Sequence, residues 1–397
     1  MRIFRNLLLS AALAVAVAPA HAEEGEHWRL FVADHGESVV RAVDLADGAV
    51  VGTFELSAPA RLYRTESERT VFAVQRDADA VSVIDTGILL EDHGDHADLD
   101  VSAPRLLEAT VEGDRPVHFV AHDGRVALFF DGEGVARIVT EAALLDGDAN
   151  PAEISAEAPH HGVAATFGDH ILVSVPNPDD PTELPIGIQV LTGEGDPVGG
   201  VHACPGLHGE AASGSMMAFG CEAGLLIVES GDDAPSVRLL PYPDDLPEGK
   251  TGTLLGGVAL RYFLGNYGPD AVVVVDPSEE DAFSLVRLPA RRVDFAVDPA
   301  RPRFAYALTE DGDLHKLDVM AAEIVATAAI TRPYSMDGHW SDPRPRIAVA
   351  GDEIVLSDPL AGVLRIIDPE TLQETRRIDI DGMPYNLVAV GGSGLHH

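Results

Sequence analysis

Positive charge is the first thing this chain is short of. Its 397 residues carry 27 Lys and Arg against 65 Asp and Glu, a formal net charge of -38. Affinity for nucleic acid comes from Lys and Arg neutralising phosphates, so that class of partner is excluded. The acidity suits a soluble exported chain and favours cations near the surface. Long apolar runs are missing after residue 22, so no later segment predicts a membrane span. Helical periodicity is rare. The signatures of several enzyme and cofactor classes are also absent: there is no Gly-x-Ser-x-Gly elbow, no His-Glu-x-x-His and no Cys-x-x-Cys-His. Cysteine is reduced to Cys204 and Cys221.

What is present begins with Met1-Arg2-Ile3-Phe4-Arg5, an apolar run from Leu7 to Val17, and Ala20-His21-Ala22. A basic start, a short apolar stretch and a small-x-small site predict a secretory signal peptide over residues 1–22, with the mature chain starting at Glu23. In an oxidising compartment the two cysteines predict a disulfide, contributing about 3 kcal/mol through the restricted unfolded chain. Shared thiolate ligation of a metal is the alternative.

Strand signals fill the rest. Short runs of Val, Ile, Leu, Ala, Phe and Tyr are bounded by Asp, Gly and Pro. Units start near Arg61, His118, His161, His208, Leu254, Asp294 and Met336. Three strands precede the first unit (His27–Asp34, Val39–Asp44, Val50–Phe54), and a lone strand, Met383–Val390, follows the last. Together the two ends make one further unit. A period in this range signals a repeat fold, and shared terminal strands close a ring and remove its edges. The prediction is an all-β fold: a single eight-bladed β-propeller over residues 23–392, seven blades being the alternative count. Residues 87–107 interrupt the first full unit with a polar loop, Glu91-Asp92-His93-Gly94-Asp95-His96, whose composition suggests metal capture. Residues 393–397, including His396 and His397, predict a flexible tail with no assigned role.

The slot that opens the inner strand repeats chemically. His118 lies in Arg115-Pro116-Val117-His118, His161 in Pro159-His160-His161-Gly162, and His208 in Pro205-Gly206-Leu207-His208-Gly209; they are 43 and 47 residues apart. Equivalent positions of neighbouring blades converge on the ring axis, so these three imidazoles predict a metal site at one channel mouth. Zinc is usually four-coordinate, and imidazole suits it. Candidate fourth ligands are Asp294, which holds the same slot two units later, Glu210, two residues beyond His208, and His122, on the strand face of His118. His160 faces the opposite way. Copper and nickel are also compatible with imidazole.

These features together resemble the AztD-type periplasmic zinc metallochaperones: the signal peptide, the His/Asp-rich loop, the Cys204/Cys221 pair, and His118, His161 and His208. The resemblance covers most of the mature chain. It implies an eight-bladed propeller in the periplasm that binds Zn2+ and delivers it to the solute-binding protein of a zinc ABC importer. By position it makes His118, His161 and His208 the tight ligands, with His93, His96, and Glu23, Glu24, Glu26 and His27 as accessory capture sites. The expected protein is a monomer without membrane insertion and not an enzyme. Two alternatives stand beside it: a metal-dependent hydrolase or lactonase using the same three imidazoles with Asp294 or Glu210 as base, and a metal-free interaction propeller.

Overall fold

The hydrophobic pattern sorts the strands by depth. Thr70–Gln75, Ala271–Val275 and Val363–Ile367 are buried at every position, whereas Glu323–Ala329 alternates exposed and half-buried. A strand covered on both faces reads as a continuous apolar run; one at the rim alternates. In the computed structural model, which describes residues 26–92 and 97–393, that distinction separates middle strands from outer ones in eight four-stranded antiparallel sheets.

Blade 1 combines the two ends of the described chain. Pro384–Ser393 is its inner strand, followed outward by Glu26–Asp34, Val39–Asp44 and Val50–Glu55. Blades 2 to 5 have inner strands Arg61–Arg64, Pro116–His122, Ala164–Phe167 and Glu210–Ser213. Those of blades 6 to 8 are Leu254–Leu255, Arg292–Val297 and Ile347–Ala350. The chain is therefore an eight-bladed β-propeller closed by its terminal strands, as the repeat predicted. In blade 1 the closure runs from the Glu26↔Ser393 pair to Asp34↔Pro384. The buried Asp34 carboxylate reinforces it by accepting from the Met383 N–H at 2.6 Å.

The core lies between the blades. Eight apolar clusters of the described residues sit at the eight blade interfaces. Two of them flank the closing blade. Leu30, Val32, Leu387 and Ala389 pack on Val355, Leu364 and Ile366 of blade 8. Phe31, Ala33, Val40 and Val390 pack on Leu62, Val71 and Ile84 of blade 2.

Two local readings change. The run Val258–Leu264, whose apolar pattern predicts one strand, is divided: Val258–Tyr262 is a turn region, and blade 6 has a two-residue inner strand and resumes at Phe263–Tyr267. At the break, Gly256 lies against the Ala212 carbonyl of blade 5, where a Cβ would come within 2.1 Å, so only glycine fits there. The 87–107 insertion is also more ordered than its composition suggested. Ile88–Asp92 pairs with Ala97–Val101 as a hairpin, with Ile88 and Leu99 buried against blades 1 and 2. His93 and His96 lie outside the described residues, as do the signal peptide, Glu23 and Glu24.

Strand direction assigns the two faces of the ring. Inner strands all start on the face that carries the approach segments of His118, His161 and His208. Adjacent strands are antiparallel, so first-to-second and third-to-fourth connections lie on the opposite face. The insertion hairpin, which joins the third strand of blade 2 (Ala80–Asp85) to its fourth (Arg105–Glu112), therefore leaves from that opposite face.

Candidate metal centre

Each imidazole is placed by a local device. In blade 3 a bulge between Pro116 and His118 puts two residues opposite one and re-aims the His118 side chain. In blade 4, His161 precedes the inner strand. The preceding His160 is buried and bonded at both ring nitrogens, to the Ala158 carbonyl and to Ser174 Oγ, each at 2.8 Å. Gly162 is required there, since a Cβ would lie 2.4–2.5 Å from His160, Phe129 and Ser174. In blade 5 the His208 N–H donates to the Gly220 carbonyl at 3.0 Å, and Gly220 N–H to the Gly209 carbonyl at 2.9 Å. The Cys204–Cys221 disulfide, with both residues buried, clamps the same turn.

The three rings converge. His161 stands in the middle, with its Nε2 3.4 Å from the Nε2 of His118 and 3.4 Å from that of His208. Ring centroids are 4.9, 5.3 and 6.1 Å apart. Two nitrogens bound tetrahedrally to one zinc at ~2.05 Å would be about 3.4 Å apart. Every Nδ1 is held from behind: His118 by Glu210 Oε1 at 3.0 Å, His161 by Asp131 Oδ2 at 2.7 Å, and His208 by the Gly252 carbonyl at 2.6 Å. A partner on Nδ1 fixes the tautomer that leaves Nε2 as the ligand atom. Gly209, at φ 82°, lets the backbone come close enough to Gly252 for the last of these bonds; a Cβ would meet that carbonyl oxygen at 2.7 Å.

The electrostatics suit a cation. Burial pushes the His118 imidazole down, but Glu210, with help from Asp131, reverses this and leaves its pKa above the usual histidine value. Burial holds His208 below that value. Burial would raise the Glu210 carboxyl, yet the facing imidazoles pull it below the ordinary glutamate value. Glu210 Oε2 and Asp131 Oδ1 are buried without a hydrogen-bond partner. Uncompensated buried carboxylate oxygens are costly unless positive charge lies nearby. The pocket is still reachable, because the His161 side chain keeps 34% of its exposure.

Of the three candidate fourth ligands, Glu210 alone joins the cluster. Asp294 occupies the equivalent slot but in blade 7, diametrically across the ring from blade 3. There Arg346 Nη1 at 3.1 Å and the Ile347 N–H at 2.8 Å occupy its carboxylate. His122 lies at the far end of the strand that begins beside His118, with Nδ1 on Glu66 Oε1 at 3.2 Å. Asp131 and Gly252 were missed by sequence reading. Asp131 follows a strand ending in Phe-Phe and precedes Gly132, which makes it look like any other Asp-Gly turn of the chain.

No protein-family model matches this sequence. The chain is 48% identical over 397 residues to the zinc chaperone AztD of Citrobacter koseri, covering 100% of this chain and 94% of that one. The crystal structure of Citrobacter koseri AztD superposes with a TM-score of 0.91 at 49% identity, over 94% of this chain and 100% of that one. The structure of apo AztD from the same organism gives 0.90 at 47%, over the same shares. A dihydro-heme d1 dehydrogenase, NirN, has a TM-score of 0.60 at 12% identity, covering 95% of this chain and 77% of that one, and shares the fold alone.

Proposed function

The chain belongs to the family of the zinc chaperone AztD, and from that premise we propose that it carries one Zn2+ on the Nε2 atoms of His118, His161 and His208 and passes it to another protein. The observation that carries this reading is the pair of 3.4 Å Nε2–Nε2 separations with every Nδ1 already held. Of the candidate fourth ligands Glu210 alone stands beside the cluster, but it is bound to His118 Nδ1 behind the imidazole, which leaves the fourth position to an oxygen from water or from a partner. The zinc is cargo, so the site must both hold and release it. A mouth position with His161 one-third exposed gives an incoming ligand a path for stepwise exchange. The basic, apolar and small-x-small pattern of residues 1–22 supports a periplasmic location, and in this reading the receiving partner is the zinc-binding solute-binding protein of an ABC importer. The described residues contain no helix long and apolar enough to cross a membrane. Glu210 and Asp131 are each engaged by an imidazole Nδ1, which favours ligand orientation over service as a general base.

Zinc competition with a chromophoric chelator tests the site. One tight equivalent per chain is expected, lost on His161→Ala; unchanged affinity in that variant sinks the assignment. For the transfer step, the zinc-loaded chain is mixed with the apo solute-binding protein. Zinc must move faster than it dissociates spontaneously; retention would remove the chaperone reading while leaving the site intact.

A further inference from the structure

Large apolar side chains that stay exposed are unevenly placed on this ring. Among the described residues, most stand on outermost strands, on the insertion hairpin, or, like Val258 and Met320, in connections of the face opposite the triad. Two stand in connections of the triad's own face, and both belong to blade 8. Trp340, 64% exposed, is on the approach to its inner strand; Leu360, 57% exposed, is in the turn between its second and third strands. A single exposed apolar residue needs no explanation. What sets this pair apart is how it is held.

Trp340 lies in residues 330–346, which run without a strand from Glu323–Ala329 to Ile347–Ala350. Strandless connections longer than about 12–15 residues are uncommon and usually either functional or disordered. This one is ordered around a buried guanidinium. Arg344 Nε donates to the Ser335 carbonyl at 2.9 Å, Nη1 to the His339 carbonyl at 2.9 Å, and Nη2 to the Asp337 carbonyl at 3.1 Å. On the channel side, His35 Nε2 donates to the Ser341 carbonyl at 2.7 Å. The His35 ring in turn stands edge-on to Tyr385, on the inner strand of blade 1, at 5.0 Å. On the outer side, the Tyr334 hydroxyl donates to Asp358 at 2.5 Å and accepts from the Leu360 N–H at 3.0 Å, which ties the loop to the turn carrying Leu360. The backbone is fixed on both sides, while the indole, beside the His339 ring at 5.3 Å, stays in solvent.

Blade 8 is diametrically across the ring from blade 4 and its His161, so a protein lying over the channel mouth reaches both. Tryptophan is enriched among the residues that dominate binding energy at interfaces, and an anchor that is already ordered loses little entropy on docking. The loop carries Asp337 and Asp342, and the chain as a whole carries -38. Charge complementarity therefore calls for a basic surround in the partner and disfavours an anionic lipid surface.

We propose that Trp340, with Leu360 on the adjoining turn, is the docking anchor for the zinc-receiving protein. The indole enters an apolar recess rimmed by Lys or Arg on that partner and holds it over the channel mouth while zinc is exchanged. This rests on the chaperone reading for the partner's identity and on no ligand assignment.

The test uses the full mature chain and the apo solute-binding protein of the transfer assay. Trp340→Ala and Leu360→Ala replace exposed side chains, so zinc affinity by chelator competition should stay at the parent value. The partner concentration that half-saturates transfer should rise by about tenfold or more for Trp340→Ala and by less for Leu360→Ala, with the maximal rate kept. Unchanged half-saturation in the double variant overturns the docking surface and leaves the chaperone reading standing. A second readout does not need transfer. Biosynthetic 5-fluorotryptophan places fluorine on Trp28 and Trp340 of this chain alone, and Trp340→Phe assigns the two resonances. The Trp340 resonance should shift when the solute-binding protein is added; Trp28, near the start of its strand towards the opposite face, is the internal control. A shift without zinc transfer supports the docking surface and removes the chaperone reading. The absence of a shift overturns the docking surface, whether or not zinc moves. A shift with phosphatidylglycerol vesicles and none with the protein assigns the loop to lipid and overturns it as well.

Discussion

At the scale of single residues, the candidate centre depends as much on what stands behind the imidazoles as on the imidazoles themselves. Asp131 touches only the far nitrogen of His161, yet it fixes which nitrogen faces the cluster. Losing such a partner typically costs 10–100-fold in metal affinity. Asp131→Asn should therefore weaken zinc binding by about that factor while the propeller still forms, as read by chelator competition alongside circular dichroism. The pKa of His118 gives a second expectation. Zinc requires a neutral imidazole, and the His118 pKa lies above the usual 6.5. Protons therefore begin to compete above that value, and affinity should fall as pH is lowered towards and through it. The fold has the opposite dependence on this group. A raised histidine pKa contributes stability below its unfolded value that is lost as pH rises through the folded one, whereas the lowered Glu210 contributes stability that is lost as pH falls. The metal-free pair is most favourable between those two limits. A Glu210→Gln variant should flatten the pH dependence of zinc affinity; an unchanged profile would show that Glu210 does not set it.

At the scale of elements, the short turn carrying His208 has little regular structure of its own. It is held by the His208–Gly220 and Gly220–Gly209 backbone bonds and by the Cys204–Cys221 disulfide, which closes a loop with a sequence separation of 17. Cross-linking a loop of that size is worth about 3 kcal/mol in the chain-entropy account. The double variant Cys204→Ser/Cys221→Ser should lose about that much in a denaturant titration. Its zinc affinity should fall too, because the turn no longer holds His208 against Gly252. Loss of stability with full zinc affinity would mean that the backbone bonds suffice. The cysteines, the glycines after the histidines and the strand runs were all legible in the sequence. The ordered hairpin of the insertion was less so, because Ile88 and Leu99 gain their burial only from neighbouring blades.

At the scale of the whole molecule, the ring is as strong as its closure. Pro384–Ser393 contributes Leu387, Ala389 and Val390 to the two interfaces on either side of blade 1. Burial of each large apolar side chain is worth about 1.5–3 kcal/mol, and the strand also covers an otherwise bare sheet edge. A chain ending at residue 382 should lose cooperative unfolding and associate through that edge, visible in size-exclusion chromatography. A monomeric truncation with an unchanged melting temperature would show that blade 1 is dispensable.

The sequence by itself determined the repeat, the blade count, the shared closing blade and the three equivalent histidines, because periodicity and strand patterning are local and survive in one dimension. It also singled out Glu210, which lies two residues from His208 on the same chain segment. Only the tertiary structure showed where Glu210, Asp294 and His122 stand relative to the three imidazoles. All three satisfy the same positional rules, but ring geometry carries Asp294 across the channel to Arg346 and leaves His122 at the other end of its strand. Asp131 and the Gly252 carbonyl were likewise invisible, since each meets its imidazole from another blade: Asp131 from blade 3 onto the histidine before blade 4, Gly252 from the approach to blade 6 onto the one before blade 5. Contacts between blades join residues tens of positions apart, and only closure of the ring sets which of them meet.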